Sequence, residues 1–170
     1  MNRKLIITVL LSLVLTACAS SKKSGSSESD NTGLGQDTSS GLVDNNAFGT
    51  GYSLDQLRAL GIEGNPLDYK IVYFEYNSSS IDERSRIIVG AHARAVGGAS
   101  VSLAGHADER GTRDFNLALG ERRAQTVADL MSAEGASGSI QTISYGEERP
   151  VDPAHTDFAW KQNRRVEISY

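Results

Sequence analysis

Two charged side chains of this 170-residue chain stand where a small folded domain has little use for charge. Asp108 lies in the turn Gly105-His106-Ala107-Asp108-Glu109-Arg110-Gly111-Thr112, and Arg123 interrupts the apolar repeat that follows it. On a helical wheel of about 100° per residue, Phe115, Leu119, Thr126, Val127 and Leu130 form one stripe. Asn116 and Arg123 fall inside that stripe, and Arg122 on its border. An arginine on a packed face is costly without a partner, so Arg123 is expected to meet an anion. A carboxylate and a guanidinium a few ångströms apart suit a zwitterion: the arginine forks onto a carboxylate while the aspartate accepts from an ammonium. The same two residues equally suit a structural ion pair, with each other or with neighbouring charges.

Other chemistry has weaker support. His92, His106 and His155 with Asp108 could be imagined as a metal site, but they lack the short fixed spacings of zinc motifs. His92 falls on an apolar helical face and is expected to be structural; His106 is expected to shape its turn. Adjacent Asp108 and Glu109 could serve as an acid–base pair, but in a glycine-bounded turn they are expected to be solvated, with Arg110 a surface charge. No serine or cysteine nucleophile constellation is evident. The chain is expected not to be an enzyme and to need neither metal nor cofactor.

The elements that must position Asp108 and Arg123 can be placed from periodicity. Ile71 to Tyr76 is rich in β-branched and aromatic residues and predicts a strand. Ser80 followed by Glu83 predicts a helix start and Gly97-Gly98 its stop, with Ile81, Arg84, Ile88, His92 and Ala95 on one face. Val101 and Leu103 predict a half-buried strand ending at Gly105, and a second helix runs from about Thr112 to Ala133. Ile140, Ile143 and Tyr145 predict a third strand; Val166, Ile168 and Tyr170 a fourth. Strands alternating with two long helices predict an α/β (α+β) fold: a two-layer sandwich with a four-stranded mixed sheet, the helices on one face. Asp108 then leaves the carboxyl end of a strand, where ligands bind in such sheets.

The N-terminus decides where this domain works. Arg3 and Lys4 precede an apolar run from Leu5 to Leu15, the pattern of a signal peptide, and the run is short of the roughly 20 residues of a membrane span. Leu15-Thr16-Ala17-Cys18 resembles the bacterial lipobox, in which the cysteine is lipidated and becomes the first mature residue. Cys18 is the only cysteine, so no intramolecular disulfide competes for it. Acyl chains contribute about 0.8 kcal/mol per buried methylene, so a multiply acylated cysteine anchors a protein without a span. Ala19 and Ser20, with no aspartate at the second position, imply sorting to the outer membrane.

Residues 18–50 are read as the lipidated cysteine and a disordered tether, too rich in Ser, Gly, Asn and Asp to fold. Such a tether spans about 30 Å on average. Residues 51–65 follow as a short helical lead-in, with a capping box at Ser53-Leu54-Asp55-Gln56 and a stop at Gly61. Residues 66–170 form one domain. Loss of residues 1–17 moves the formal charge from −4 to −6, which excludes nucleic acid as a partner.

"GHADERGT", "NLALGERRA", "SYGEERP" and "NRRVE" resemble, in order and spacing, the OmpA-like peptidoglycan-binding domain family. The resemblance spans about Val72 to Tyr170. It implies a ligand, the diaminopimelate of the cell-wall stem peptide, and a set of binding residues. The aspartate of the "GHxD" turn matches Asp108, with Ala107 beside it. The helix matches Asn116, Leu117 and Arg123, the final motif Arg164 and Arg165, and the first strand Phe74 and Glu75. Where the family's first strand ends Phe-Asp, this one ends Phe74-Glu75, one methylene longer. With the lipid on Cys18 and the tether, the resemblance implies an outer-membrane, periplasm-facing lipoprotein that holds peptidoglycan. It further implies the Tol proteins, TolB and TolA, as partners, with a role in envelope integrity and cell division. The alternatives are a wall-binding lipoprotein outside the Tol system and a wall-modifying hydrolase.

Overall fold

Alternating β-branched residues build the sheet against which the helices pack. The computed structural model describes residues 46–170, so the signal segment, Cys18 and the tether to residue 45 lie outside the described residues. Strands β1 (Ile71–Tyr73), β2 (Val101–His106), β3 (Ile140–Gly146) and β4 (Arg165–Ser169) lie in the order β1-β4-β2-β3. Strand β4 runs antiparallel to both β1 and β2, while β2 and β3 are parallel neighbours. Two long helices, α2 (Glu83–Val96) and α3 (Arg113–Ala133), complete the expected mixed-sheet sandwich. The short helix α1 (Leu54–Ala59) precedes β1, and the short helix α4 (Asp157–Asn163) lies between β3 and β4.

One face of the sheet makes the core. Val72, Val101, Leu103, Val166 and Ile168 are buried with Val89, Ala93 and Val96 of α2 and with Ala124, Val127, Ala128 and Met131 of α3. Each large aliphatic side chain buried this way contributes about 1.5–3 kcal/mol. On the opposite face Tyr73 and Ile143 stay exposed, and Arg165 pairs with Glu167 at 2.6 Å. Residues 46–50, which the composition placed in the tether, form a turn, and Ala47 is buried with Leu57, Ile62, Ile87 and Ile88. The capping box of α1 forms between Ser53 and Gln56.

Three local expectations are corrected. Strand pairing stops at Tyr73 rather than Tyr76, because the chain turns at Asn77 (φ 50°) and the carbonyls of Glu75 and Ser78 point inward to Arg123. Helix α2 is capped by Asp82, whose carboxylate accepts from the Ser85 N–H at 2.7 Å, and not by Ser80. Ile81 therefore precedes the helix, and Ala95 is exposed. The buried stripe of α3 is Asn116, Leu119, Gly120, Arg123, Ala124, Val127, Ala128 and Met131. It is rotated away from Phe115 and Thr126, with Leu130 packing at its edge, because small residues at its centre meet the sheet.

Gly105 of β2 and Gly120 of α3 approach backbone to backbone. A methyl group on Gly105 would lie 1.9 Å from the Gly120 carbonyl oxygen, and one on Gly120 would lie 2.5 Å from Ser144 Oγ. Helix and strand are thus in backbone contact one residue before His106 and about one turn before Arg123. Gly105→Ala is expected to destabilise the domain by about 3 kcal/mol or more, since the obstruction is backbone and not a movable side chain. Urea unfolding of the variant beside Gly98→Ala, where an added methyl finds ordinary contact at 3.8 Å, checks this.

Candidate ligand-binding site

The Gly105–Gly120 contact delivers Arg123 into the end of the sheet. Its side chain is fully buried, and its guanidinium donates to three backbone carbonyls: Nε to Ser78 at 2.8 Å, Nη1 to His106 at 2.8 Å and Nη2 to Glu75 at 3.0 Å. The expected anionic partner is replaced by these oxygens, which satisfy three of the five guanidinium N–H groups. Burial, reinforced by the charge of Arg164, pulls its pKa down to about 10, so it remains a cation at neutral pH. Phe74 lies beneath it, with its ring centroid 5.3 Å from the guanidinium carbon.

Asp108 is also buried, and it pairs with neither Arg123 nor solvent. Arg110 grips it in a fork, with Nε at 3.0 Å from Oδ1 and Nη2 at 2.7 Å from Oδ2, and the Arg110 backbone N–H adds a third bond at 3.1 Å. Arg164 Nη1 supplies a fourth at 3.3 Å. Burial pushes the Asp108 carboxyl up, but the Arg110 hydrogen bonds and charge, with Arg164, outweigh it and hold the group below its ordinary value. Arg164 also donates from Nε to the Phe74 carbonyl at 2.8 Å. Arg165, its neighbour in sequence, turns to the opposite sheet face and Glu167, as strand alternation requires.

Asp108, Asn116, Arg123 and Arg164 line one small cleft together with Tyr76, Asn77, Arg110, Phe115 and Leu119. The Asn116 amide nitrogen donates to Glu147, which fixes the orientation of the amide. Phe74 and Glu75 line a separate, wider groove with Tyr73, Ser80, Asp82, Lys161 and Gln162, and Arg164 is common to both. Ala107 is buried behind the turn, its N–H on the Gly146 carbonyl at 2.8 Å. Leu117 lies at the exposed start of α3, its carbonyl accepting from Ser144 Oγ at 2.6 Å. The structure therefore brings together four of the nine candidate residues, sets Phe74, Glu75, Ala107 and Leu117 around them, and sends Arg165 to the opposite sheet face.

Two participants were missed by sequence reasoning. Arg110 was assigned to the surface, yet it holds Asp108; the Asp-x-Arg spacing within a glycine-bounded turn was the available signal. Glu147 carries no local signal, since its partner Asn116 is 31 residues away. The three histidines have separate surroundings. His92 bridges the Tyr69 carbonyl at 3.0 Å and the Tyr170 hydroxyl at 2.9 Å, and His155 pairs with Glu109 at 2.6 Å. His106 is buried beside Tyr145 with no hydrogen bond at either ring nitrogen.

A four-stranded mixed sheet with a charged cleft at the end of β2 defines the OmpA-like fold class. A family model described as the OmpA family matches residues 73–164. The peptidoglycan-associated lipoprotein of Pseudomonas aeruginosa is 36% identical over 170 residues, covering 97% of this chain and 95% of that protein. That of Pasteurella multocida is 37% identical over 161 residues, covering 92% and 90%. Among solved structures, the peptidoglycan-associated lipoprotein from Burkholderia pseudomallei superposes with a TM-score of 0.58 at 32% identity, over 63% of this chain and 94% of that one. The C-terminal domain of Helicobacter pylori MotB shares the fold, with a TM-score of 0.53 at 21% identity, over 59% and 83%. The chain belongs to the OmpA family, in its peptidoglycan-associated lipoprotein branch.

The unsatisfied imidazole of His106 has a measurable consequence. Burial, followed by the charge of Arg165, lowers its pKa to about 4, with Glu167 opposing and Arg149 adding to the depression. In the unfolded chain a histidine binds its proton near pH 6.5. The stability it contributes is thus complete above that pH and is lost as pH falls toward 4, where the folded form also protonates. His106→Leu removes a buried group that makes no hydrogen bond, so it is expected to cost less than about 1.5 kcal/mol at pH 7. It should also flatten the loss of stability between pH 7 and pH 5, measured by urea unfolding at both values.

Proposed function

We propose that this protein is an outer-membrane lipoprotein that binds peptidoglycan without covalent attachment, through diaminopimelate, and so tethers the outer membrane to the wall. The observation that carries this reading is the convergence of Asp108, Asn116, Arg123 and Arg164 on one cleft. Asp108 would receive the ammonium of the ligand's amino-acid head group. Arg123 retains one N–H on each terminal nitrogen beyond its carbonyl bonds, a fork of the kind that takes a carboxylate. The cleft holds one carboxylate against the cations Arg110, Arg123 and Arg164, within an acidic chain. That balance favours a ligand with more carboxylates than amines, as a stem peptide has.

The relatives carry the name peptidoglycan-associated lipoprotein, which supports peptidoglycan as the ligand and a lipid as the anchor. The domain is a binder rather than an enzyme, and it uses no cofactor besides the lipid. We place it in the periplasm-facing layer of the outer membrane as part of the Tol–Pal system, with TolB and TolA as partners and a role in envelope integrity and division.

Binding of the full chain in detergent to purified peptidoglycan tests the cleft. Asp108→Asn and Arg123→Lys are each expected to cost about 2–5 kcal/mol, or about 30-fold to several thousand-fold in affinity. Lysine is chosen at 123 because it keeps the charge while losing the fork, and thermal melts accompany each variant. Walls with lysine in place of diaminopimelate lack the carboxylate offered to Arg123 and should bind much more weakly. Equal binding to both walls by folded protein would overturn the assignment. A second measurement addresses the anchor. Cys18→Ser is expected to leave the domain folded and to shift it from the membrane to the soluble fraction after wall digestion.

A further inference from the structure

The Asp108 carboxylate is already saturated by the chain itself. An ionised carboxylate offers about four acceptor positions. Oδ1 receives the backbone N–H and Nε of Arg110, and Oδ2 receives Arg110 Nη2 and Arg164 Nη1. Arg110 does more than touch the acid. Its guanidinium is stacked between two aromatic rings, 4.2 Å from the centroid of Tyr76 and 4.3 Å from that of Trp160. Trp160 is itself held by a bond from its indole N–H to Glu109 at 2.8 Å, and Glu109 is the residue between Asp108 and Arg110. A planar cation between two rings, forked onto a buried carboxylate, is the arrangement of a filled cation site.

From this we propose that Arg110 is an internal ligand: it occupies the cation seat of Asp108 and must swing out for the ammonium of a wall peptide to enter. The inference rests on the diaminopimelate reading of the cleft and adds a competitor to it. Arg164 cannot take that part. It is almost fully buried and bonded to the Phe74 carbonyl, whereas the Arg110 side chain is about a third exposed and lies at the mouth. The competition sets specificity. A neutral ligand gains nothing from Asp108 that replaces a forked guanidinium, so only a ligand bringing its own cation, with a carboxylate for Arg123, recovers what opening costs.

When the competent form is a minor state, the apparent dissociation constant is raised by the reciprocal of its population. Populations of about a tenth or less are typical of such states. Arg110→Gln and Arg110→Ala are therefore expected to bind a soluble diaminopimelate-containing stem peptide about tenfold or more tightly than the unaltered full chain, measured calorimetrically in detergent. Arg110→Lys preserves the charge but not the fork or the planar stacking, and its affinity should fall between the two. A purely electrostatic role would leave Arg110→Lys equal to the unaltered protein. A direct contact between Arg110 and the ligand would make all three variants weaker. Either result overturns the proposal.

Trp160 is the only tryptophan of the chain, so its emission reports the stacking directly. Peptide binding should shift that emission in the unaltered protein and leave it unchanged in Arg110→Ala; an equal shift in both overturns the displacement. Asp108→Asn separates the two readings. If it binds as well as the unaltered chain, the diaminopimelate site itself is wrong. If it fails to bind while the Arg110 variants show no gain, only the internal-ligand inference falls.

Discussion

The guanidinium of Arg123 holds the end of this domain together. Its three carbonyl partners come from the segment after β1 and from the last residue of β2, while the arginine itself belongs to α3. Without it each of these carbonyls would lose a charged donor, and the Glu75 oxygen would keep only the Ser78 N–H at 3.2 Å; a hydrogen bond to a charged group contributes about 1.5–3 kcal/mol. An anion in their place would hold the arginine at one point, but the carbonyls tie two backbone segments to α3 at once. The same geometry shapes the cleft. The turn from Glu75 to Ser78 carries Tyr76 and Asn77 to its wall, and the His106 carbonyl sets where Asp108 emerges. Joining two backbone segments to a helix is thus the work of one side chain, which explains why a buried cation is tolerated on a face that packs against a sheet.

The electrostatics of the cleft follow from that choice. Arg123 is paired with neutral oxygens, so its charge is not cancelled, and Arg164 adds a second cation close enough to depress its pKa. Asp108 offsets one of the three positive charges and is held ionised by two of them. A local positive balance within an acidic chain draws carboxylates toward this cleft.

Much of this was legible in the residues themselves. The start of α3 near Thr112, its length and the placement of Asn116 and Arg123 on its inner face followed from periodicity alone. The centre of that face did not, because Gly120, Ala124 and Ala128 score as small rather than apolar. What favours them is the close approach to Gly105, which is a property of the partner strand. The cap of α2 was misplaced for a simpler reason: Ser80 and Asp82 both offer an acceptor, and only tertiary packing chooses. The partners of Arg123 were illegible, since two of its three carbonyls lie 45 and 48 residues away, and backbone oxygens leave no mark in a sequence. Arg110 was half visible. Its spacing from Asp108 was local, but the rings that enclose it come from after β1 and from α4.

The order of the strands has a consequence for how the chain is made. Strand β4, the last of the described strands in sequence, lies inside the sheet and joins β1 to β2. Until residues 165–169 are available, β1 has no neighbour, β2 has only β3, and the inner face lacks Val166 and Ile168. A nascent chain can form its helices early, but the sheet closes only when its distant end arrives, a long-range contact that is slow to make. By keeping its keystone strand for last, this topology postpones closure of the sheet until the last of the described strands has been made.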